Sequence, residues 1–177
     1  MPSTDPTLKQ ALLDCDPTSA ADLSDVYKQF SGNKHFTHQL VTWLADKSLQ
    51  RGASWLLKKH LEADTSIPLR EVNRLYDVLP QLEHWETKLH VLQCLPMLSI
   101  SSEQKKTVEA FLRTCLVAPN KFVRAWAYSG FYTLATQHAE YQKTVEQYLE
   151  MALRDEAPSV KARIRQILKT AKPFEKQ

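Results

Sequence analysis

The chain has 177 residues and a formal net charge of +3, and its 43% of hydrophobic and 24% of charged residues are ordinary for one globular domain. With 3 glycines it is poor in the tight turns that connect strands, which argues against an all-β fold. No apolar run approaches the roughly 18 residues of a membrane-spanning helix, so no membrane partner is expected.

Amphipathic helices are predicted along the whole chain. Apolar residues recur every three or four positions in segments of about 10–16 residues, and no segment alternates as a half-buried strand would. Asn33 and Asn120 are candidate N-caps, and Pro80 and Pro96 are expected to end or kink their helices. The predicted helices span residues 6–14, 19–30, 34–47, 50–63, 68–84, 86–98, 102–117, 121–137, 141–154 and 158–170.

Charge is distributed unevenly between the two ends of the chain. Residues 1–33 contain two lysines and five aspartates, whereas residues 158–177 contain six basic residues and one glutamate. A basic end of this kind favours an acidic partner, either an acidic peptide or nucleic acid. The alternative interpretation is a solvated helix with a charged tail, which needs no partner.

The last two helix pairs repeat each other at an offset of 37 residues. The stretch LVAPNKFVRAWA, from Leu116, aligns without gaps with LRDEAPSVKARI, from Leu153. Under this alignment Val123 falls on Val160. Repeats of this length are typical of solenoids, in which neighbouring helix pairs stack because no pair can cover its own apolar face.

Both stretches have a leucine, then a turn with a proline, then a valine followed by a basic residue. The residues are Leu116, Pro119, Val123, Arg124 and Ala127, and Leu153, Asp155, Pro158, Val160 and Lys161. This order resembles the turn and second-helix start of a HEAT repeat, in the armadillo/HEAT family of α-helical repeats. The resemblance covers residues 70–177 and extends with less agreement to residues 34–69.

The resemblance implies an all-α fold, a right-handed α-α superhelix of about four or five antiparallel helix pairs. Residues 1–33 would form N-terminal capping helices, residues 34–170 the HEAT-like solenoid, and residues 171–177 a basic tail, all in one domain. The second helices of such a superhelix line its concave side, which is the usual binding surface.

A surface stripe is predicted on these second helices. If Val123, Ala127 and Leu134 point inward, a rotation of 100° per residue turns Tyr128 and Tyr132 largely away from the core. The same positions in the other repeats are mostly basic or aromatic. The predicted partner-binding residues are Arg51, Trp55, Lys59, Lys88, Arg124, Tyr128, Tyr132, Lys161, Arg165 and Lys169.

These positions also have a structural interpretation. The basic residues could bond to an aspartate of the next repeat, and Tyr128 and Tyr132 could pack against an adjacent helix. Trp126 is expected at the flank of the core. Gly130 lowers helix stability by about 1 kcal/mol relative to alanine, so it is expected to permit a close helix approach.

A non-catalytic scaffold is therefore expected, which binds an acidic protein or peptide segment on a basic, aromatic concave face. No catalytic residue, cofactor or metal site is assigned, because His35 and His38 lack further ligands at metal-binding spacing. The alternative is a nucleic-acid-binding HEAT-like solenoid. Some proteins of that type are alkylated-DNA glycosylases. The active-site pattern of those enzymes does not map onto this chain residue by residue. Asp77, beside Tyr76, is the nearest candidate carboxylate.

The three cysteines, Cys15, Cys94 and Cys115, are far apart in the sequence. Their odd number and wide spacing fit neither a disulfide framework nor a zinc motif, so they are interpreted as free thiols in a reducing compartment. The first residues also lack the basic start and apolar stretch of a secretory signal. We therefore expect a cytoplasmic protein, or a nuclear one if the source is eukaryotic.

Overall fold

The structure is a computed structural model that describes residues 7–170, and it confirms an all-α fold for them. Residues 1–6 and the predicted tail at 171–177 lie outside this range. Three short 3₁₀ helices occur at Leu79–Gln81, Leu95–Met97 and Ala139–Tyr141. The α-helices are α1 (Leu8–Asp14), α2 (Ala20–Phe30), α3 (Phe36–Trp43), α4 (Gln50–Glu62), α5 (Leu69–Val78), α6 (Trp85–Cys94), α7 (Lys105–Leu116), α8 (Lys121–Gln137), α9 (Gln142–Asp155) and α10 (Pro158–Thr170).

Local signals in the sequence set most of these helix ends. The Asn120 side chain accepts a hydrogen bond from the Phe122 amide at 2.9 Å, which confirms it as the N-cap of α8. Pro80 and Pro96 each lie in a 3₁₀ helix directly after α5 or α6, so both prolines end their α-helices as predicted. The prediction that Asn33 caps α3 is wrong, because the N-cap residue is His35 and the Asn33 side chain accepts from the His35 amide before the helix begins.

The chain forms two compact units, Met1–His90 and Val91–Gln177, with the boundary inside α6. In the first unit α1 packs on α2 and α3 on α4. Helices next but one in the chain also pack together, α2 on α4 and α3 on α5. The core of this unit is mainly leucine, and its fully buried members include Leu23, Leu40, Leu44, Leu56, Leu57 and Leu75.

Helix α8 is the centre of the second unit, because α7, α9 and α10 all pack against it. Val123, Ala127, Phe131 and Leu134 are buried, as the predicted helical phase requires. The prediction for Gly130 is also confirmed. A Cβ atom at this position would clash with the buried Leu112 side chain of α7 and lie 3.1 Å from Leu95 Cδ1.

Long-range side-chain hydrogen bonds in both units join residues of similar separation in the chain. Four such bonds join His38 with Glu71, Arg51 with Glu86, Lys105 with Glu140, and Arg163 with Ser129. The two residues of these pairs are 33, 35, 35 and 34 positions apart, respectively. This separation is close to the 37-residue offset of the sequence repeat. Each bond therefore connects parts of the chain that are roughly one sequence repeat apart.

Glu109 of α7 lies in the centre of a polar cluster in the second unit. It accepts hydrogen bonds from Lys106 at 2.9 Å, from Arg113 at 2.8 Å and from the Tyr141 hydroxyl at 2.9 Å. Burial alone would raise its pKa, but these three donors outweigh burial and lower the pKa to about 2. Ionised Glu109 therefore stabilises the contact between α7 and the start of α9.

The acid stability of the second unit should depend on this carboxylate. The folded pKa lies below the ordinary value of 4.5, so the stabilisation is complete above that pH and is lost as the pH falls towards 2. We expect Glu109→Gln to cost about 2 kcal/mol at neutral pH and to flatten the loss of stability below pH 4.5. Urea denaturation at several pH values measures this. Glu146→Gln, an exposed change on α9, is the control, and an equal effect of both substitutions would contradict the assignment.

Candidate functional site

A groove of about 300 Å³ lies between α8 and α10 in the second unit. Its described lining is rich in hydroxyl groups and also contains one guanidinium and the apolar side chains of Pro96 and Ile167. The lining residues are Pro96, Ser129, Tyr132, Thr133, Thr136, Gln137, Arg163, Ile167 and Thr170.

Among residues 7–170, Arg163 is the only charged residue in the groove lining, and three side chains fix its orientation. Its guanidinium carbon lies 3.7 Å from the centre of the Trp126 ring, which is a close cation–π stack. Arg163 Nε donates to the buried Ser129 hydroxyl at 2.8 Å, and Nη1 donates to Gln166 at 3.2 Å. Because burial disfavours its charge, the pKa of Arg163 is lowered, although an arginine remains charged at any physiological pH.

Within residues 7–170, no carboxylate lies within ion-pair distance of Arg163. Comparable arginines are neutralised, since Arg51 pairs with Glu86 at 2.7 Å and Arg124 pairs with Glu156 at 3.1 Å. Helix α10 itself contains no acidic residue. A half-buried cation beside an open groove is thus left without an anion from the described part of the chain.

Two of the predicted site residues on α8 have structural partners. Arg124 pairs with Glu156 and also donates to the carbonyls of Ala118 and Pro119, both at 3.0 Å. Tyr128 is 9% exposed, so the prediction that it turns away from the core is wrong. Burial and the nearby Glu156 carboxylate raise the pKa of Tyr128 to about 12. The error has a physical cause, because α8 is packed by three helices and not along a single face.

Tyr132 is the predicted site residue that lines the groove. The three predicted residues on α10, Lys161, Arg165 and Lys169, do not line it. Helical geometry explains this. Arg163 and Thr170 lie to one side of the buried face of α10. Lys161 lies to the other side of that face, and Arg165 and Lys169 lie on the far side of the helix. Lys161 is partly exposed and donates to the Arg154 carbonyl at 2.7 Å, and Arg165 and Lys169 are exposed.

The groove arginine could have been found from the repeat itself. Trp126 and Arg163 are 37 residues apart, so they occupy the same position in consecutive repeats. The predicted surface stripe instead uses the residues two positions earlier on each helix, which are Arg124 and Lys161. Trp126, expected at the flank of the core, is partly exposed and carries the Arg163 guanidinium on its ring.

The remaining predicted residues belong to the first unit. Arg51 forms the ion pair with Glu86, Trp55 and Lys88 are partly exposed, and Lys59 is exposed. On the same helices the buried Ser54 hydroxyl lies 2.9 Å from His90 Nδ1. Burial, reinforced by Lys58 and Arg51, lowers the pKa of His90 to about 4, so this histidine is neutral at physiological pH.

The candidate carboxylate of the alternative enzyme function is not part of an open aromatic site. Tyr76 is fully buried, whereas Asp77 is exposed at the rim of a separate cavity in the first unit. Among residues 7–170, no group of three histidine, cysteine or carboxylate side chains could hold a metal ion. No helix in that range has the length and hydropathy needed to cross a membrane.

The structure thus defines an all-α protein with a hydroxyl-lined groove around one arginine. The sequence matches no family model, no curated protein and no solved structure.

Proposed function

We propose that the protein is a non-catalytic scaffold that binds an acidic protein segment in the groove between α8 and α10. The observation that carries this proposal is Arg163, a half-buried cation that faces the groove without a carboxylate partner among residues 7–170. A buried charge is costly unless it is paired, so an incoming carboxylate would gain more here than on an exposed lysine.

The contacts of Arg163 favour a role in ligand binding over a role in helix packing. Trp126 covers one face of the guanidinium, and Ser129 and Gln166 fix its orientation. A guanidinium whose orientation is already fixed loses little side-chain entropy when it binds a planar carboxylate. The exposed Arg165 and Lys169 on the far side of α10 add a positive field that would attract an acidic chain.

The scaffold part of the proposal is a HEAT-like superhelix of stacked helix pairs. Two observations support it within each unit. Helices next but one in the chain pack together, and hydrogen bonds recur between residues about one repeat apart. Stacked repeats present equivalent side chains in columns, and Trp126 with Arg163 is one such column.

The Arg163→Gln substitution tests the proposed site. The probe is a fluorescein-labelled decapeptide of alternating glutamate and glycine, compared by anisotropy with its glutamine counterpart. We expect binding of the acidic peptide alone, and a loss of affinity of at least about tenfold in Arg163→Gln because a charge-assisted hydrogen bond is removed. Arg165→Gln, on the same helix but outside the groove, should change affinity by less than about twofold.

Two other results would overturn the proposal. A larger loss in Arg165→Gln than in Arg163→Gln would move the site to the predicted outer stripe. Tighter binding of single-stranded or duplex DNA, with an affinity that falls steeply with salt, would favour the nucleic-acid alternative.

A further inference from the structure

Two of the groove threonines, Thr136 and Thr170, have hydroxyls that remain available mainly as hydrogen-bond acceptors. Thr136 uses its hydroxyl proton on the Thr133 carbonyl at 2.7 Å, and Thr170 donates to the Gln166 carbonyl at 3.0 Å. A hydroxyl carries one proton and two lone pairs, so both groups keep acceptor capacity after these bonds form. Both residues are exposed and line the groove.

Arg163 is the one cationic donor among the described lining residues of the groove. Its Nε proton is used by Ser129 and one Nη1 proton by Gln166, which leaves the outer edge of the guanidinium for a ligand. The groove thus combines one cationic guanidinium fork with two threonine hydroxyls that keep free lone pairs. The guanidinium requires an oxyanion on the ligand, whereas the threonine hydroxyls require N–H groups.

We infer that the groove selects a glutamate or aspartate side chain in an extended peptide and discriminates against a phosphorylated one. This inference rests on the proposed function and names the chemistry of its ligand. A carboxylate has one charge and two oxygens, which match one guanidinium edge. Backbone N–H groups beside the acidic residue would donate to Thr136 and Thr170.

A phosphorylated residue fits the same groove poorly. At neutral pH a phosphate monoester carries nearly two negative charges and three acceptor oxygens. One arginine balances only part of that charge. The remaining oxygens would lie against the threonine lone pairs, where acceptor faces acceptor.

NMR titration of the full-length chain tests this selectivity. The probes are the N-acetyl, N-methylamide derivatives of glutamate, glutamine and phosphoserine, and the signals followed are Arg163 Nε–H and the Trp126 indole N–H. We expect saturable shifts with the glutamate probe, none with glutamine, and at least threefold weaker binding of phosphoserine. Equal or tighter binding of phosphoserine at these signals would overturn the selectivity while leaving the proposed function intact.

The role of the threonine wall has its own test. Thr136→Val removes one acceptor, so the glutamate probe should bind about fivefold more weakly, as for the loss of one hydrogen bond. Acetate has no N–H group, and its binding should be unchanged. The matched control is Thr114→Val, an exposed threonine on α7 that also bonds to its own helix but does not line the groove.

The two proposals fail in different ways. No shift at Arg163 with either acetate or the glutamate probe would reject the proposed function itself. Binding that is normal in Thr136→Val would reject only the acceptor wall and, with it, the reason for selectivity.

Discussion

Val123→Asp is expected to unfold the second unit. Val123 is 0% exposed at the start of α8, where α7 and α10 both pack against this helix. An aspartate there would lose its hydration without gaining a partner, and protonation to avoid the charge still leaves a buried polar group. The expected cost is more than about 4 kcal/mol, which is a large part of the stability of a typical domain.

A matched substitution separates this effect from that of the new charge alone. Val117, at the end of α7, is 81% exposed, so Val117→Asp should change stability by less than about 0.5 kcal/mol. Urea denaturation followed by circular dichroism and by tryptophan fluorescence measures both variants. A Val123→Asp protein that unfolds at a nearly unchanged urea concentration would mean that α8 has a different orientation in the core.

Gly130→Val should be the second most damaging change. The first side-chain atom at this position already clashes with Leu112, and valine would add two more carbons to the same space. Leu112 is fully buried in a close-packed interior and has little room to move. We expect a loss of about 3 kcal/mol, with helix α8 itself retained because valine is a better helix former than glycine.

Gly32→Val provides the control for this prediction. Gly32 follows α2, and nothing lies within 4 Å of a Cβ atom built there. Its backbone is also outside the left-handed region that only glycine adopts easily. The change should therefore be nearly neutral in thermal unfolding. A similar loss of stability in both variants would show that glycine flexibility, and not space beside Leu112, is what matters at position 130.

Much of the fold was predictable because its signals are local. The period of the apolar residues located the ten α-helices of residues 7–170, and Asn120, Pro80 and Pro96 set particular helix boundaries through their own local chemistry. The predicted ends of helices that lack such a residue were less accurate. The third helix was expected to reach residue 47 but ends at Trp43, and Asp46 then forms a turn by accepting from the Ser48 amide.

The candidate site was only partly predictable, because the partners of its residues come from helices distant in the sequence. The side chains of Arg124 and Arg163 are both basic and both lie on second helices. Arg124 meets Glu156, 32 residues further along the chain, whereas Arg163 meets Trp126 and Ser129 and no acid among residues 7–170. That difference makes one a structural ion pair and the other a candidate anchor.

Tyr128 illustrates the same limit for burial. A helical wheel assumes one buried face, and on that assumption Tyr128 points outward. In the structure α8 is surrounded by α7, α9 and α10, so its buried surface extends round most of the helix. The periodicity of a single helix carries no information on how many neighbours will pack against it.

By itself, then, the sequence determined the all-α class, the order and approximate span of the helices, and a repeat of 37 residues, since each depends on spacing along the chain. Only the tertiary structure decided which basic residues are neutralised, and that a groove forms on the Arg163 flank of α10. The physical reason is that charge pairing and burial depend on contacts between helices more than thirty residues apart, which side-chain rotation and helix packing select.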